Sequence, residues 1–169
     1  MPVMKRLFPC ALLLTLFTVA GCGFQLRGSA NLPYETLHVA AAPSSVFATQ
    51  LRRAVISGSQ TKVVDNPKEA QATLHVLAEA RGKTILSLSG GGRVREFQLI
   101  YRVQYRLADK DNKELRAPTM IRLHRDFSFN DSDTLSKESE EALLYRDMQT
   151  DAVSQLLRQL QATRAAASL

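Results

Sequence analysis

Cysteine is almost absent from this chain of 169 residues, which contains only Cys10 and Cys22. Both lie within the first 22 residues, so no cysteine remains in the rest of the chain for a disulfide or a thiolate metal site. Stability must therefore come from packing alone. Cleavage of an N-terminal signal peptide of 21 residues would leave a mature chain of 148 residues. A domain of that size buries about 70% of the surface of its unfolded chain, which is enough for one core.

The chain also lacks the short motifs that mark common active sites. Nothing matches the nucleophile elbow of hydrolases, the helix motif of zinc proteases or a Walker phosphate loop. Its histidines, which are His38, His75 and His124, have no His or carboxylate at a spacing typical of metal ligation. The sequence therefore predicts no metal, no cofactor and no enzyme. The alternative is an enzyme with an unrecognised site, and a deep pocket that holds two or more of the histidines would support it.

No apolar run is long enough for a permanent transmembrane helix, because the stretch over 7–19 is too short to span a bilayer. Two basic residues precede this stretch, and small residues and Cys22 follow it, an order typical of a secretory signal peptide. The small residues before the cysteine resemble a bacterial lipobox. This resemblance implies that residues 1–21 are cleaved and that Cys22 is acylated. In the lipoproteins that it resembles, an Asp after the cysteine means retention in the inner membrane. Because Gly23 stands at this position, the resemblance implies delivery to the outer membrane. A buried helix and an uncleaved anchor are the alternatives.

The net charge is modest. The formal charge is +6, and loss of Lys5 and Arg6 with the signal peptide would leave 20 basic and 16 acidic residues, or +4. Export argues against nucleic acid as a partner. Anionic lipid head groups, phosphorylated glycolipids or an acidic protein lumen fit this charge, although an ordinary solvated surface fits it too.

Hydrophobic periodicity predicts an α/β chain, an α+β sandwich with the element order β-α-β-β-β-α. In this arrangement two helices cover one face of a mixed sheet of about four strands. Leu74, Val76 and Ala78 are expected on one face of their strand, Ser44 or Ser45 caps the first helix, and Gly58 is expected at its C-terminus. The predicted elements are a strand over 36–40, a helix over 44–57, strands over 72–88, 97–107 and 119–129, and a helix over 136–163.

The polar face of the last hairpin is unusually basic. Arg102 and Arg106 alternate with apolar residues on one strand, and Arg122 and His124 do so on the next. Rigidly held guanidinium groups suit phosphate binding, because each offers paired donors that match an oxyanion. A solvated sheet face or a protein-docking surface would show the same pattern.

A glycine-rich segment, Ser89-Gly90-Gly91-Gly92-Arg93, separates two of the predicted strands. Its backbone N–H groups could cradle a phosphate. A flexible hairpin tip is the favoured interpretation, because glycine runs commonly break strands at turns.

Several segments together resemble a known family. The segment 22–28, Cys-Gly-Phe-Gln-Leu-Arg-Gly, is similar to the mature start of the lipopolysaccharide (LPS)-assembly lipoprotein family LptE. The Arg-Glu-Phe-Gln-Leu string over 95–99, which opens a long strand, resembles a further segment of that family. So does the Arg-Asp-Phe string over 125–127, which leads to a polar loop, Lys137 and a long helix.

The resemblance implies one LptE-like domain over 22–169, with an extended, lipidated start over 22–33 and a frayed tail over 164–169. It implies an outer-membrane lipoprotein on the periplasmic side that lies in the lumen of the β-barrel LptD, plugs and helps to assemble it, and takes part in LPS transport. The implied partners are that barrel, LPS and the inner leaflet of the outer membrane. A structural lipoprotein that plugs or chaperones a barrel without binding glycolipid is the alternative.

The resemblance also implies LPS binding through basic residues. Lys137 matches one basic position of the family, whereas the other falls near Gly90, so Arg93 is the nearest basic candidate. The candidate LPS-binding residues are Lys137, Arg93, Arg95, Arg102, Arg106 and Arg122, and the only attached group that the resemblance implies is the lipid on Cys22.

Overall fold

The computed structural model describes residues 32–166, with the side chains of 131 and 164–166 left out. The expected signal peptide, the acylated Cys22, most of the extended start and residues 167–169 lie outside this part of the chain. The strands are β1 (Thr36–Ala40), β2 (Lys62–Val63), β3 (Ala72–Leu88), β4 (Val94–Asp109) and β5 (Glu114–Ser128), and the helices are α1 (Val46–Gly58) and α2 (Thr134–Ala166), with short 3-10 turns at Pro67–Glu69 and Asp131–Asp133.

The strands form one mixed sheet in the order β2-β1-β3-β4-β5. As predicted, β1 pairs in parallel with β3, and β3, β4 and β5 form an antiparallel meander. The fifth strand, β2, pairs in parallel with β1 and was not predicted. Its two residues are too few to show any alternation of apolar and polar side chains.

Edge strand β5 begins at Glu114, five residues before the predicted start. Pro118 lies in this added part, close to an irregularity in the register between Tyr105 and Leu107 of β4. A proline lacks the N–H group that a central strand would need, and an edge strand tolerates that loss.

Helix α1 begins at the predicted capping residue. The Ser45 hydroxyl accepts a hydrogen bond from the Ala48 N–H at 3.0 Å, which satisfies one of the free donors of the first turn. Gly58 is the last residue of the helix, as predicted, but it is helical and does not adopt positive φ. The helix is instead closed by Ser59, whose N–H and hydroxyl both donate to the Val55 carbonyl.

The core lies between the helices and one face of the sheet. Alternate residues of β4 from Leu99 to Leu107 are fully buried, as the period of two predicted. The apolar stripe expected on the last helix is also buried, and it comprises Tyr145, Met148, Ala152, Leu156 and Leu160. None of the helices within 32–166 has an apolar stretch long and uncharged enough to cross a membrane.

A bulge in β3 changes which of its residues face the helices. Val76 lies opposite the buried Tyr105, but the register shifts by one residue at Leu77, so that Ala78 pairs with Gln104 on the other face. The expectation that Ala78 shares a face with Leu74 is therefore wrong. Beyond the bulge, polar residues that alternation would have sent to solvent, beginning with Glu79, lie on the helix-covered face.

The glycine-rich segment is the tip of the β3–β4 hairpin. The Gly92 N–H donates to the Ser89 carbonyl at 2.9 Å, and the Arg93 N–H donates to the Ser89 hydroxyl at 3.1 Å. Gly92 has φ of 77°, a conformation that favours glycine. The Ser89 N–H also donates to the Arg93 carbonyl, at 2.7 Å. Because three N–H groups of the segment are already bonded within the turn, the structure supports the hairpin-tip interpretation over a phosphate cradle.

Candidate functional site

The sheet has one face covered by both helices and one open face. Alternation along β4 and β5 places three of the candidate residues, Arg102, Arg106 and Arg122, on the open face, as predicted. Arg102 and Arg122 are exposed, and they lie directly opposite each other on neighbouring strands. Side chains in such a cross-strand pair are close enough to interact.

The positive charge of this pair is uncompensated. Neither arginine has an ion pair with any carboxylate of the described residues. Like charges directly opposite each other on a sheet destabilise it, because the guanidinium groups repel one another. An anion bound between Arg102 and Arg122 would relieve that repulsion.

The same face continues toward β1 with a second basic group. Arg106 lies opposite His75 and donates to the Asn112 side chain at 3.1 Å. Burial lowers the pKa of His75, and the positive charges of Arg106 and His38 lower it further. His38 in turn makes a 3.0 Å hydrogen bond through Nδ1 to the Val64 carbonyl. Within 32–166 no group of three or more His, Cys, Asp or Glu residues is placed to hold a metal ion.

The other candidate residues lie at the far end of the sheet, near the hairpin tip. Arg93 is exposed in the β3–β4 turn. Arg95 is exposed on β4, where alternation places it on the same face as Phe97, so it belongs to the helix-covered side and not to the open face. The N-terminus of α2 comes to this end because the Phe129 N–H, just beyond β5, donates to the Arg95 carbonyl at 2.7 Å.

Lys137, on the first turns of α2, already has partners. Its ammonium group donates to the Glu140 carboxylate at 2.8 Å and to the Ser128 hydroxyl at 3.2 Å, and only 18% of its side chain is exposed. Any anionic ligand would have to compete with Glu140 for this ammonium group.

The candidate residues therefore form two separate groups. The tip group is Arg93, Arg95 and Lys137, and the face group is Arg102, Arg106 and Arg122. Nine residues of extended chain separate Arg93 from Arg102, which corresponds to about 30 Å along the strand. No single phosphate can contact both groups, so a ligand would need anionic groups that are far apart, or each group would bind its own ligand.

Sequence reasoning missed the basic residues on the helix-covered side of β3. Lys83 forms an ion pair with Glu141 of α2 at 2.5 Å, and its ammonium group lies 4.4 Å from the centroid of the Phe97 ring. Arg81 lies over the Tyr145 ring. The only signal in the sequence was the alternation of charged residues with small ones beyond residue 78, and its face could not be assigned without the bulge at Leu77.

Comparisons with known proteins agree on one family. The model of the family described as LptE, Lipopolysaccharide-assembly, matches residues 34–160. The LPS-assembly lipoproteins LptE of Yersinia pestis (strain Pestoides F) and Yersinia pseudotuberculosis (serotype O:3, strain YPIII) are each 29% identical over 164 residues, which is 95% of this chain and 78% of theirs.

Two solved structures share the fold. The solution structure of the uncharacterized lipoprotein B from Nitrosomonas europaea is 42% identical with a TM-score of 0.76, and the match covers 85% of this chain and 94% of that one. The crystal structure of the rare lipoprotein B from Shewanella oneidensis is 25% identical with a TM-score of 0.69, over 79% of this chain and 99% of that one.

Proposed function

This chain belongs to the LptE lipopolysaccharide-assembly family, and we propose that it plugs and helps to assemble the outer-membrane β-barrel LptD and takes part in LPS transport to the outer leaflet. Family membership supports a role in LPS assembly. That role is one of assembly and not of catalysis, in agreement with the sequence. The barrel partner, the place in its lumen and the binding of LPS through basic residues are the proposed parts.

One observation carries the proposal that the chain binds LPS: the unneutralised pair of Arg102 and Arg122 on the open face. LPS is a phosphorylated glycolipid, and guanidinium groups bind phosphate oxygens through paired, charge-assisted hydrogen bonds. The tip group offers a second contact for a ligand as extended as LPS. Arg93 is the more accessible member, since Lys137 is engaged by Glu140.

The proposed attachment to the outer membrane is through acylated Cys22, after removal of residues 1–21. Residues 22–169 then form the single mature domain. Metabolic labelling with palmitate tests this directly, because replacement of Cys22 by Ser should abolish the label and leave the unprocessed chain. A labelled Cys22→Ser variant would show that another residue carries the lipid.

The experiment that tests the barrel partner is purification of the tagged, full-length lipoprotein from outer membranes in mild detergent, followed by mass spectrometry. We expect a large β-barrel protein in near-equal amount. Recovery of the lipoprotein alone, or with periplasmic proteins only, would contradict the plug.

A structural lipoprotein that plugs the barrel without touching glycolipid is the second candidate, favoured by the Lys137–Glu140 ion pair. The two candidates differ in one measurement on the same purified material. If the open face binds LPS, Arg102→Glu combined with Arg122→Glu should release co-purified LPS and keep the barrel. Unchanged LPS in that variant would favour the purely structural function.

A further inference from the structure

A second basic surface lies on the opposite side of the molecule, in a groove between the two helices. The groove has a volume of about 570 Å³ and is lined by residues of α1, α2 and the middle of β3. The side-chain amide of Gln50 on α1 donates to the Thr150 hydroxyl on α2 at 2.8 Å, which links the two helices across the groove.

Three arginines from three different elements line this groove: Arg53 of α1, Arg81 of β3 and Arg146 of α2. All three are exposed. The lining contains no Asp or Glu, and none of the three arginines has an ion pair with a carboxylate among the described residues. The groove is therefore positively charged without internal compensation.

Two contacts hold Arg81 in place before any ligand arrives. Its Nη2 donates to the Gln149 carbonyl oxygen at 3.3 Å, and its Cζ atom lies 5.2 Å from the centroid of the Tyr145 ring. Such stacking over an aromatic face reduces the freedom that the side chain would lose on binding.

Gln149 also lines the groove, although only 3% of it is exposed. Its side-chain oxygen accepts the hydrogen bond from Arg81, so the guanidinium group is tied to a residue that packing holds in place.

From these observations we propose that the groove binds an acidic segment of a partner protein, with its carboxylates on Arg53, Arg81 and Arg146. A peptide suits the groove better than a single phosphate does, because a volume of about 570 Å³ is much larger than one phosphate group. Apolar side chains also line it, and Val46 at its edge is 60% exposed. This inference does not depend on LPS binding at the open face.

The test uses the full-length lipoprotein in mild detergent and a fluorescent peptide of alternating glutamate and alanine, with binding followed by anisotropy. Arg53→Gln combined with Arg146→Gln should weaken binding at least tenfold and flatten its salt dependence. Both residues are exposed and lack ion pairs to described carboxylates, so the fold should survive, which thermal unfolding checks. Arg81 is left in place because it packs against Tyr145.

A charge-matched control is Arg158→Gln combined with Lys110→Gln, which changes two exposed basic residues outside the groove lining. The control should bind the peptide as the unmodified protein does. An equal loss in the control would mean that only the overall charge attracts the peptide, and the proposal would fail. It would also fail if the peptide did not bind saturably, or if inorganic pyrophosphate displaced it at lower concentration than unlabelled peptide, since the groove would then be a phosphate site.

Discussion

The Lys137 ammonium group donates to the Glu140 carboxylate at 2.8 Å, so this proposed LPS-binding residue is paired within its own helix. We expect Glu140→Gln to release the ammonium group and to strengthen LPS binding by a fewfold. An i,i+3 ion pair is worth only about 0.2–0.5 kcal/mol, so the fold should tolerate its loss. Titration of the purified full-length variant with LPS measures the effect.

Glu138→Gln is the control for this prediction, because Glu138 is exposed on the same turn and has no ion pair among the described residues. It removes the same charge without releasing Lys137. The charge reversals Lys137→Glu and Arg93→Glu should both weaken binding without unfolding the domain. Unchanged binding in both reversals would remove the tip group from the site.

The opposed pair of Arg102 and Arg122 predicts opposite effects on stability and binding. Arg122→Gln should raise the free energy of unfolding by a few tenths of a kcal/mol in the absence of ligand, because it ends a like-charge cross-strand contact. The same change should weaken LPS binding. Chemical denaturation at low and high salt measures the first effect, and the gain should vanish at high salt, where the repulsion is screened. A loss of stability at low salt would show that Arg122 has a favourable partner.

The sequence predicted the parts of the fold that depend on long, regular patterns. The alternation of β4 and the apolar stripe on the last helix are both confirmed. A period of two or of 3.6 over many residues is compatible with only one type of secondary structure and one buried face. The two-residue strand β2 was not predicted, because it is too short to show a repeating pattern.

The site was predicted only in part, and β3 shows why. The open-face arginines follow from alternation, and the structure places Arg102 and Arg122 together as that alternation requires. The bulge at Leu77 cannot be read from residue types, yet it turns Glu79 and Arg81 toward the helices. The Lys137–Glu140 pair is visible as an i,i+3 spacing, but its competition with a ligand depends on the burial of Lys137, which only the packing shows.

His75 gives the domain an acid-sensitive stability. Its pKa in the folded state is lowered, first by burial and then by Arg106 and His38. The unfolded chain therefore takes up a proton near the ordinary histidine pKa of about 6.5, while the folded chain does so only at a lower pH, and stability must fall as the pH drops through this range. We expect His75→Gln to reduce the loss of stability between about pH 7 and pH 5, as measured by urea denaturation at each pH.

Arg106→Gln should have a smaller effect in the same direction, since it removes one of the positive charges and leaves the burial of His75 intact. A steeper loss of stability in the Arg106 variant would contradict this account of the shift.

The last prediction concerns the polar contact that the bulge of β3 creates in the core. Glu79 accepts hydrogen bonds from the Tyr101 hydroxyl at 2.7 Å and from the Ser45 hydroxyl at 2.8 Å. Burial raises the pKa of Tyr101, and the hydrogen bond to the Glu79 carboxylate raises it further, so this phenol remains a donor. Tyr101→Phe should cost about 1.5–3 kcal/mol, because the bond that it removes ends on a charged acceptor.

Tyr145→Phe is the matched comparison, because Tyr145 is buried and its hydroxyl donates to the neutral Gly82 carbonyl at 2.6 Å. A bond between neutral groups contributes about 0.5–1.5 kcal/mol, so this variant should be less destabilised in urea denaturation. In a double-mutant cycle, Glu79→Gln should reduce the cost of Tyr101→Phe and leave that of Tyr145→Phe unchanged. Equal costs for both tyrosines, with no coupling to Glu79, would mean that the carboxylate adds nothing beyond ordinary packing at the point where the bulge, α1 and β4 meet.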